Sequence, residues 1–209
     1  MFLKRLLKSM TKRDRFVKRL FDIVFSFIGL LFTWPVILIA WLVASIETRS
    51  NGFFLQKRVG KDGKLFTIIK VKTMYANKKG NSVTTANDER ITKSGRFFRK
   101  YKIDELPQLI NVLKGDMSFV GPRPDVPGYA DKLEGEDRII LSVRPGITGP
   151  ATLKYRNEEK ILASVDDPKK YNDDVIWPDK VKINKEYIKN WSFKKDLEYI
   201  IKTIKGNQQ

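Results

Sequence analysis

Ile103-Asp104-Glu105-Leu106-Pro107-Gln108-Leu109-Ile110-Asn111-Val112-Leu113-Lys114-Gly115-Asp116-Met117-Ser118-Phe119-Val120-Gly121-Pro122-Arg123-Pro124 decides the reading of this chain. Two adjacent carboxylates, Asp104 and Glu105, stand just ahead of a helical repeat of Leu106, Leu109, Ile110 and Leu113. Pro107 suits a first turn, where its missing N–H costs nothing, and Gly115 suits the stop. A helix N-terminus carries spare N–H groups and partial positive charge, which favour carboxylates and phosphate alike. Acid pairs are hard-cation ligands, and Mg²⁺ usually binds through one or two carboxylates plus substrate phosphates. Pro122 and Pro124 then stiffen the backbone around Arg123, whose fork suits a phosphate. The plain alternative is that Asp104 and Glu105 merely cap a helix.

The rest of the composition narrows the chemistry. A chain of 209 residues is long enough for one domain with a real core. Its 41 Lys and Arg against 24 acids leave a net charge of +17, which points to a polyanionic partner: nucleic acid, an anionic membrane or phosphorylated substrates. There is no cysteine and no histidine. Disulfides, thiol catalysis, Ser-His-Asp triads and imidazole bases are therefore excluded, and acid–base work falls to carboxylates, Lys or Tyr.

Taken whole, the string is far more specific than the acid pair. Asp-Glu-Leu-Pro-Gln-Leu, Gly-Asp-Met-Ser and Val-Gly-Pro-Arg-Pro stand here in the order and spacing of the bacterial sugar transferase family, the small monotopic phosphoglycosyl transferases, which this stretch closely resembles. The resemblance implies that Asp104 attacks a nucleotide sugar, forms a covalent phosphosugar intermediate and passes it to a polyprenyl phosphate.

Upstream of the signature the chain is built for a membrane. Met1 to Leu20 mixes apolar residues with eight Lys and Arg and reads as a basic amphipathic helix on an anionic surface; a disordered basic tail is the alternative. Ile23 to Ile46 is 24 residues without a charge. As a helix it would be roughly 36 Å long, enough to cross a bilayer. Against a plain span stand Trp34-Pro35 in its middle and basic residues on both flanks. Proline breaks the helical ladder, and the positive-inside rule wants both ends in the cytoplasm. A helix–break–helix that enters and leaves by one face satisfies both, and the family resemblance implies the same re-entrant anchor. Family members place Ser before this proline; Trp34 stands there in this chain.

Downstream the pattern turns globular. Phe53 to Val59 and Leu65 to Met74 read as strands joined by Gly60-Lys61-Asp62-Gly63, a hairpin signal. Lys70 matches a family lysine, while Lys72 replaces the usual arginine. Asn77 to Arg90 reads as a polar loop. Ser94 to Lys102 sets Phe97, Phe98 and Tyr101 among cations, either as a headgroup-layer helix or as a core helix with a basic face. Arg99, five residues before Asp104, recurs in the family as a phosphate holder. Val126 to Val143 reads as a polar helix weakened by Gly128 and Gly135.

Arg144-Pro145-Gly146-Ile147-Thr148-Gly149 reads as a rigid turn whose backbone N–H groups aim at an anion or a base edge. The family carries a near-identical string, which the resemblance places near the nucleotide. Beyond it, Pro150 to Arg156 departs from the commoner family pattern, so sugar specificity does not transfer. Near the C-terminus Asn184 replaces a family Asp, and no catalytic role is carried to it. Ser192 to Ile204 is an amphipathic helix with Ser192 as N-cap and Gly206 as stop.

The expected architecture is α/β: one compact catalytic domain with a small sheet over 49–209, and a basic arm with a re-entrant anchor broken at Pro35 over 1–48, with peripheral amphipathic helices. It implies a transferase on the cytoplasmic face of the inner membrane. Asp104 and Glu105 are its catalytic pair and share Mg²⁺; Arg123, Arg99 and Lys70 hold phosphate; Arg144, Pro145, Gly146, Thr148 and Gly149 line the nucleotide. The expected partners are a UDP-sugar, a polyprenyl phosphate such as undecaprenyl phosphate, membrane lipid and, as an option, a second copy in a homodimer. Two other classes stay open: a phosphatase or nucleotidyltransferase, which uses the same Mg²⁺–carboxylate logic but needs no lipid acceptor, and a basic membrane-bound nucleic-acid binder, which would explain the charge of +17 without chemistry. The chain shows no helix-turn-helix or RNA-binding signature, so nucleic acid is not an expected partner.

Overall fold

The computed structural model of the chain describes residues 10–75 and 88–206. The first nine residues of the expected basic arm and most of the Asn77–Arg90 loop lie outside them.

Helix α1, Lys12–Thr48, opens on a capping box: the Asp14 amide donates to Thr11 Oγ1, and the Thr11 amide donates to the Asp14 carboxylate. It runs 37 residues, about 55 Å at 1.5 Å per residue, and ends at left-handed Arg49. Two expectations change here. The basic segment from Lys12 is not a separate surface helix but the first turns of α1. The helix is also not broken at Pro35 but continues through it. The reason is local. Pro35 lies on the exposed side of α1, so its ring meets no neighbour across the domain. What it removes is one ladder bond, the one to the carbonyl of Leu31. The turns on either side are held by Thr33 Oγ1 donating to the Gly29 carbonyl and by the burial of Ile37 and Ala40.

One stripe of α1 faces the rest of the chain along its whole length. Lys18, Asp22, Ser26, Ile37, Ala40 and Ala44 are buried at steps of three or four, with one step of eleven, which is three helical turns. Gly29 sits in that stripe because a Cβ there would stand 3.1 Å from a Leu109 methyl of the helix behind it. The other faces are apolar and uncovered; Phe32 is 75% exposed and Ile46 is 77% exposed. Helix α1 is long and apolar enough to cross a membrane by length and composition.

The hairpin forms as the sequence predicts, with β1, Phe53–Val59, antiparallel to β2, Leu65–Val71, from Phe53 opposite Val71 to Val59 opposite Leu65. Asp62 and Gly63 take positive φ in the turn, which Asp tolerates and Gly favours. Helix α2, Lys93–Tyr101, is capped by Thr92 Oγ1, which accepts from the Gly95 amide. Phe98 is buried with Ala40, Ala44 and Val71, while Phe97 and Tyr101 remain exposed. The core-helix reading thus holds for Phe98.

Left-handed Lys102 reverses the chain, a 3₁₀ turn spans Ile103–Glu105, and α3 follows at Gln108–Lys114, stopped by Gly115 at φ 95°. Buried Asn111 fixes α3 to the hairpin: its Nδ2 donates to the Thr67 carbonyl at 2.8 Å, and its Oδ1 accepts from the Ile69 amide at 3.1 Å. Phe66, Ile68, Val112 and Met117 close the space between them.

Strand β3, Ser118–Val120, pairs in parallel with β4, Gly146–Thr148. Two expectations change again. The stretch 126–143 is not an α-helix but turns and 3₁₀ segments, Ala130–Lys132 and Gly135–Ser142; Gly128 and Gly135 both take positive φ there. The expected turn at Gly146 is instead β4, because parallel strands require a long crossover and this irregular segment supplies it. The expected mix of helices with a small sheet is compatible with this structure, whose described residues hold two two-stranded sheets among the helices.

The C-terminal part is helical: α4 (Pro150–Lys154), α5 (Glu158–Ala163), α6 (Pro168–Tyr171), a π turn over Asn172–Ile176, α7 (Trp177–Lys189) and α8 (Phe193–Lys205). Val120, Ile140, Leu141, Val181, Tyr187 and Ile188 form the main core. Asp196 of α8 is the polar knot of that core. Lys18 of α1 pairs with it, Tyr187 Oη donates to it at 2.7 Å, and Trp191 Nε1 donates at 3.0 Å.

Candidate active site

Asp104 and Glu105 occupy the corner between α2 and α3. Neither caps α3, whose N-terminus has no side-chain cap, so the plain capping alternative does not describe them. Glu105 accepts from Lys70 Nζ of β2 at 3.0 Å and from Arg123 Nη2 at 2.7 Å, and its side chain is only 12% exposed. Asp104 is buried beside it, and its Oδ1 has no hydrogen-bond partner.

The two carboxylates are pushed in opposite directions. Burial raises the Asp104 pKa, and the adjacent Glu105 charge raises it further. Burial acts the same way on Glu105, but the charges of Arg123, Lys70 and Lys102 outweigh it and hold Glu105 well below the ordinary carboxylate range. Burial lowers Lys70, partly offset by Glu105, and the Glu105 charge raises Arg123. The two neighbouring acids thus differ in proton affinity.

The expected site residues fall into three groups. Lys70, Asp104, Glu105 and Arg123 converge as the sequence predicts. Arg99 lies at the edge, where its guanidinium is paired with Glu159 of α5. The Arg144–Gly149 string makes its own contacts with α3 and with the β3–β4 pair. Arg144 Nε donates to the Gly115 carbonyl at 2.7 Å, at the end of α3 away from the acids. The Gly146 amide donates to Pro122, and the Thr148 carbonyl accepts from the Gly121 amide, so these groups serve the β3–β4 pair. Gly121, Gly146 and Gly149 are needed for close approach: a Cβ on Gly146 would stand 2.1 Å from the Gly121 nitrogen, and one on Gly149 would stand 2.4 Å from the Gly121 oxygen. Thr148 Oγ1 meets Thr203 of α8. Pro145 does line a small cavity with Arg123 and Asp125.

Four further residues reach the site that the sequence reading did not single out. Arg58 Nη1 donates to the Pro124 carbonyl at 3.2 Å, and its buried Nε has no partner. Asp125 directly follows the signature; burial pushes it up to about 6 against the pull of Lys180, Arg58 and Arg123. Lys180 of α7 donates to both oxygens of Glu158 at 2.8 and 2.7 Å. Only Asp125 had a signal in the sequence, its position beside Pro124; the others arrive from β1, α5 and α7 by folding alone.

Among the described residues no group of three or more Asp or Glu side chains could by itself hold a metal ion. The donor set fits Mg²⁺ in its other mode, in which one or two carboxylates share it with substrate phosphates. The free Asp104 Oδ1 beside Glu105 is such a donor.

A carboxylate with an unpartnered oxygen thus stands next to one clamped by two cations, beside a long apolar helix. The chain belongs to the bacterial sugar transferase family, whose family model matches residues 13–208. It is 36% identical over 189 residues to the uncharacterized sugar transferase EpsL of Bacillus subtilis, covering 90% of this chain and 86% of that protein. It is 35% identical to the undecaprenyl-phosphate galactose phosphotransferase of Salmonella typhimurium, covering 96% of this chain but 42% of the relative. The UDP-glucose:undecaprenyl-phosphate glucose-1-phosphate transferase of Caulobacter vibrioides is 34% identical, with 90% of this chain and 68% of the relative covered.

Proposed function

We propose that the chain transfers a phosphosugar from a UDP-sugar to undecaprenyl phosphate or another polyprenyl phosphate at a membrane face, initiating assembly of a surface glycan or glycoprotein. One observation carries this reading: Asp104 keeps an unpartnered oxygen while Glu105 beside it is bound to two cations. The relatives' names, which give undecaprenyl-phosphate sugar-phosphate transfer, supply the substrate class.

The two halves follow from the two carboxylates. An Asp104 oxygen forms a bond to the sugar-linked phosphorus, and the bond from that phosphorus to the nucleoside monophosphate breaks. A phosphate oxygen of the lipid then bonds to the same phosphorus and frees Asp104. The raised Asp104 is the better nucleophile of the two once ionised. Glu105, held low, is a weak base, and its task is to fix Lys70 and Arg123 where phosphate oxygens gather. Arg123 uses one nitrogen on Glu105 and is 41% exposed, so part of its fork is open to a phosphate. Asp104 and Glu105 would hold Mg²⁺ together with the donor; bound there, it would neutralise diphosphate charge.

The anchor belongs to the same proposal. The domain packs on α1 from Lys18 to Ala44, which supports an anchor whose two ends stay on one side, the cytoplasmic face of the inner membrane. A spanning helix would instead carry one end across about 30 Å of hydrocarbon.

The test is a half-reaction. Protein in detergent is given labelled UDP-sugar and Mg²⁺ without lipid. Label should attach to the protein with release of one equivalent of nucleoside monophosphate, and polyprenyl phosphate should discharge it. Asp104→Asn should abolish both. Normal turnover with no adduct and sequential kinetics would remove Asp104 as nucleophile.

A further inference from the structure

We propose that Glu158 and Glu159 are resident counter-ions which the donor's diphosphate displaces, and that Lys180 is thereby a phosphate-holding residue of the site. This rests on the donor reading above.

Two consecutive residues at the start of α5 each grip a cation from a different element. Glu159 pairs with Arg99 of α2, and Glu158 takes Lys180 of α7 on both of its oxygens. Both cations belong to the site's charge cluster. Arg99 acts on Asp104; Lys180 acts on Asp125, whose neighbours include Arg123 and Arg58. Glu158 itself lies within the field of Arg123. The α5 carboxylates thus occupy two cations that a phosphate would also attract.

The segment that carries them is lightly held. Helix α5 has six residues and buries only Leu162, and the Glu159 side chain is 47% exposed. A diphosphate brings more charge and more acceptor oxygens than a carboxylate, and it competes for the same guanidinium and ammonium groups. It also repels Glu158 and Glu159 as like charges. Entry of the donor therefore exchanges these partners, leaving Arg99 and Lys180 on phosphate and the first turn of α5 released. The exchange sets donor affinity, since every donor must first compete with two covalently tethered carboxylates.

The experiment uses full-length protein in detergent, with Mg²⁺-pyrophosphate and Mg²⁺-UDP as probes, and calorimetry as the readout. The conservative variant E158Q/E159Q should bind both probes three- to tenfold more tightly and should lower KM for the sugar donor. Lys180→Gln should weaken binding about tenfold, and it should do so equally in the Glu158→Gln background. Unchanged or weaker pyrophosphate binding by E158Q/E159Q would overturn the exchange. A Lys180→Gln effect that vanishes in the Glu158→Gln background would reduce Lys180 to a partner of Glu158 and overturn its assignment. Turnover with a UDP-sugar is scored separately. Tighter pyrophosphate binding without any turnover leaves the exchange standing and removes the donor reading, while turnover without tightening does the reverse.

Discussion

Arg123 reaches back eighteen residues to Glu105 and meets it at 2.7 Å, so the two ends of the signature stretch close on each other in space. That closure separates the tasks of the two acids. Glu105 is spent on positioning cations, and Asp104 is left with a free oxygen.

Arg123→Lys keeps a positive charge but loses the fork. Turnover should fall on the order of 10- to 100-fold, the equivalent of one charge-assisted bond of about 1.5–3 kcal/mol. Membrane association should not change. Nucleoside monophosphate release and flotation of vesicles measure the two separately, and near-normal rates would make Arg123 a structural residue.

The pH profile should report Asp104 rather than Glu105. Attack needs the ionised Asp104, whose pKa is raised by burial and by Glu105, while Glu105 stays ionised well below its usual range. The acid limb of kcat/KM should therefore lie above the ordinary Asp value of about 3.9. Lys70→Met removes a cation that favours the charged form of both acids, so the limb should move further up. A limb that ignores this substitution would exclude Asp104 as its source.

Asp125 gives a stability prediction of the opposite sign to the usual carboxylate. Its folded pKa of about 6 lies above the unfolded value, so the folded state holds the extra proton between them. Stability contributed by the protonated form is present at low pH and is lost as pH rises from about 4 to about 6. Asp125→Asn, which mimics the protonated acid, should raise the unfolding free energy at pH 7.5 by an amount on the order of 1 kcal/mol and do little at pH 4. Equal effects at both values would contradict the shift.

The buried knot at Asp196 should show strong coupling. Asp196→Asn removes the ion-pair partner of buried Lys18, leaving it only the field of Asp22 one turn away, and should cost about 3–5 kcal/mol. Adding Lys18→Met should recover most of it. Denaturant unfolding in detergent of the two single variants and the double one gives the coupling; simple additivity would show that the pair is not a unit.

Pro35 tests the anchor. Reporter tags at Met1 and Gln209 should both be shielded in intact cells. Pro35→Ala restores the ladder bond to Leu31 in a helix that already runs through this position, so both tags should stay shielded in that variant too. An external N-terminus in the unaltered protein would remove the one-face anchor.

The legible parts of this chain were those fixed by local chemistry. The hairpin showed in Asp62-Gly63, α3 in its leucine spacing and Gly115, and α8 in Ser192 and Gly206; all three stand where expected. The core of the site was legible because Asp104, Glu105 and Arg123 lie within one short string. Lys180, Arg58 and Glu159 were hidden, because α7, β1 and α5 bring them in from distant sequence. The Arg144–Gly149 string looked like an anion-binding turn because its glycines and proline are the same residues that a tight parallel strand pair requires. Pro35 looked like a break because the sequence does not show which way its ring faces.

The stripe on α1 gives the anchor a mechanical role. The helix touches α2, α3 and the turn that carries Asp104 and Glu105, so no linker separates the apolar element from the carboxylates. A change in the depth at which α1 rides is then a change in the height of Asp104. Under the proposed function, bilayer thickness and lateral pressure then become variables of the reaction, transmitted through a helix rather than through the carboxylates themselves.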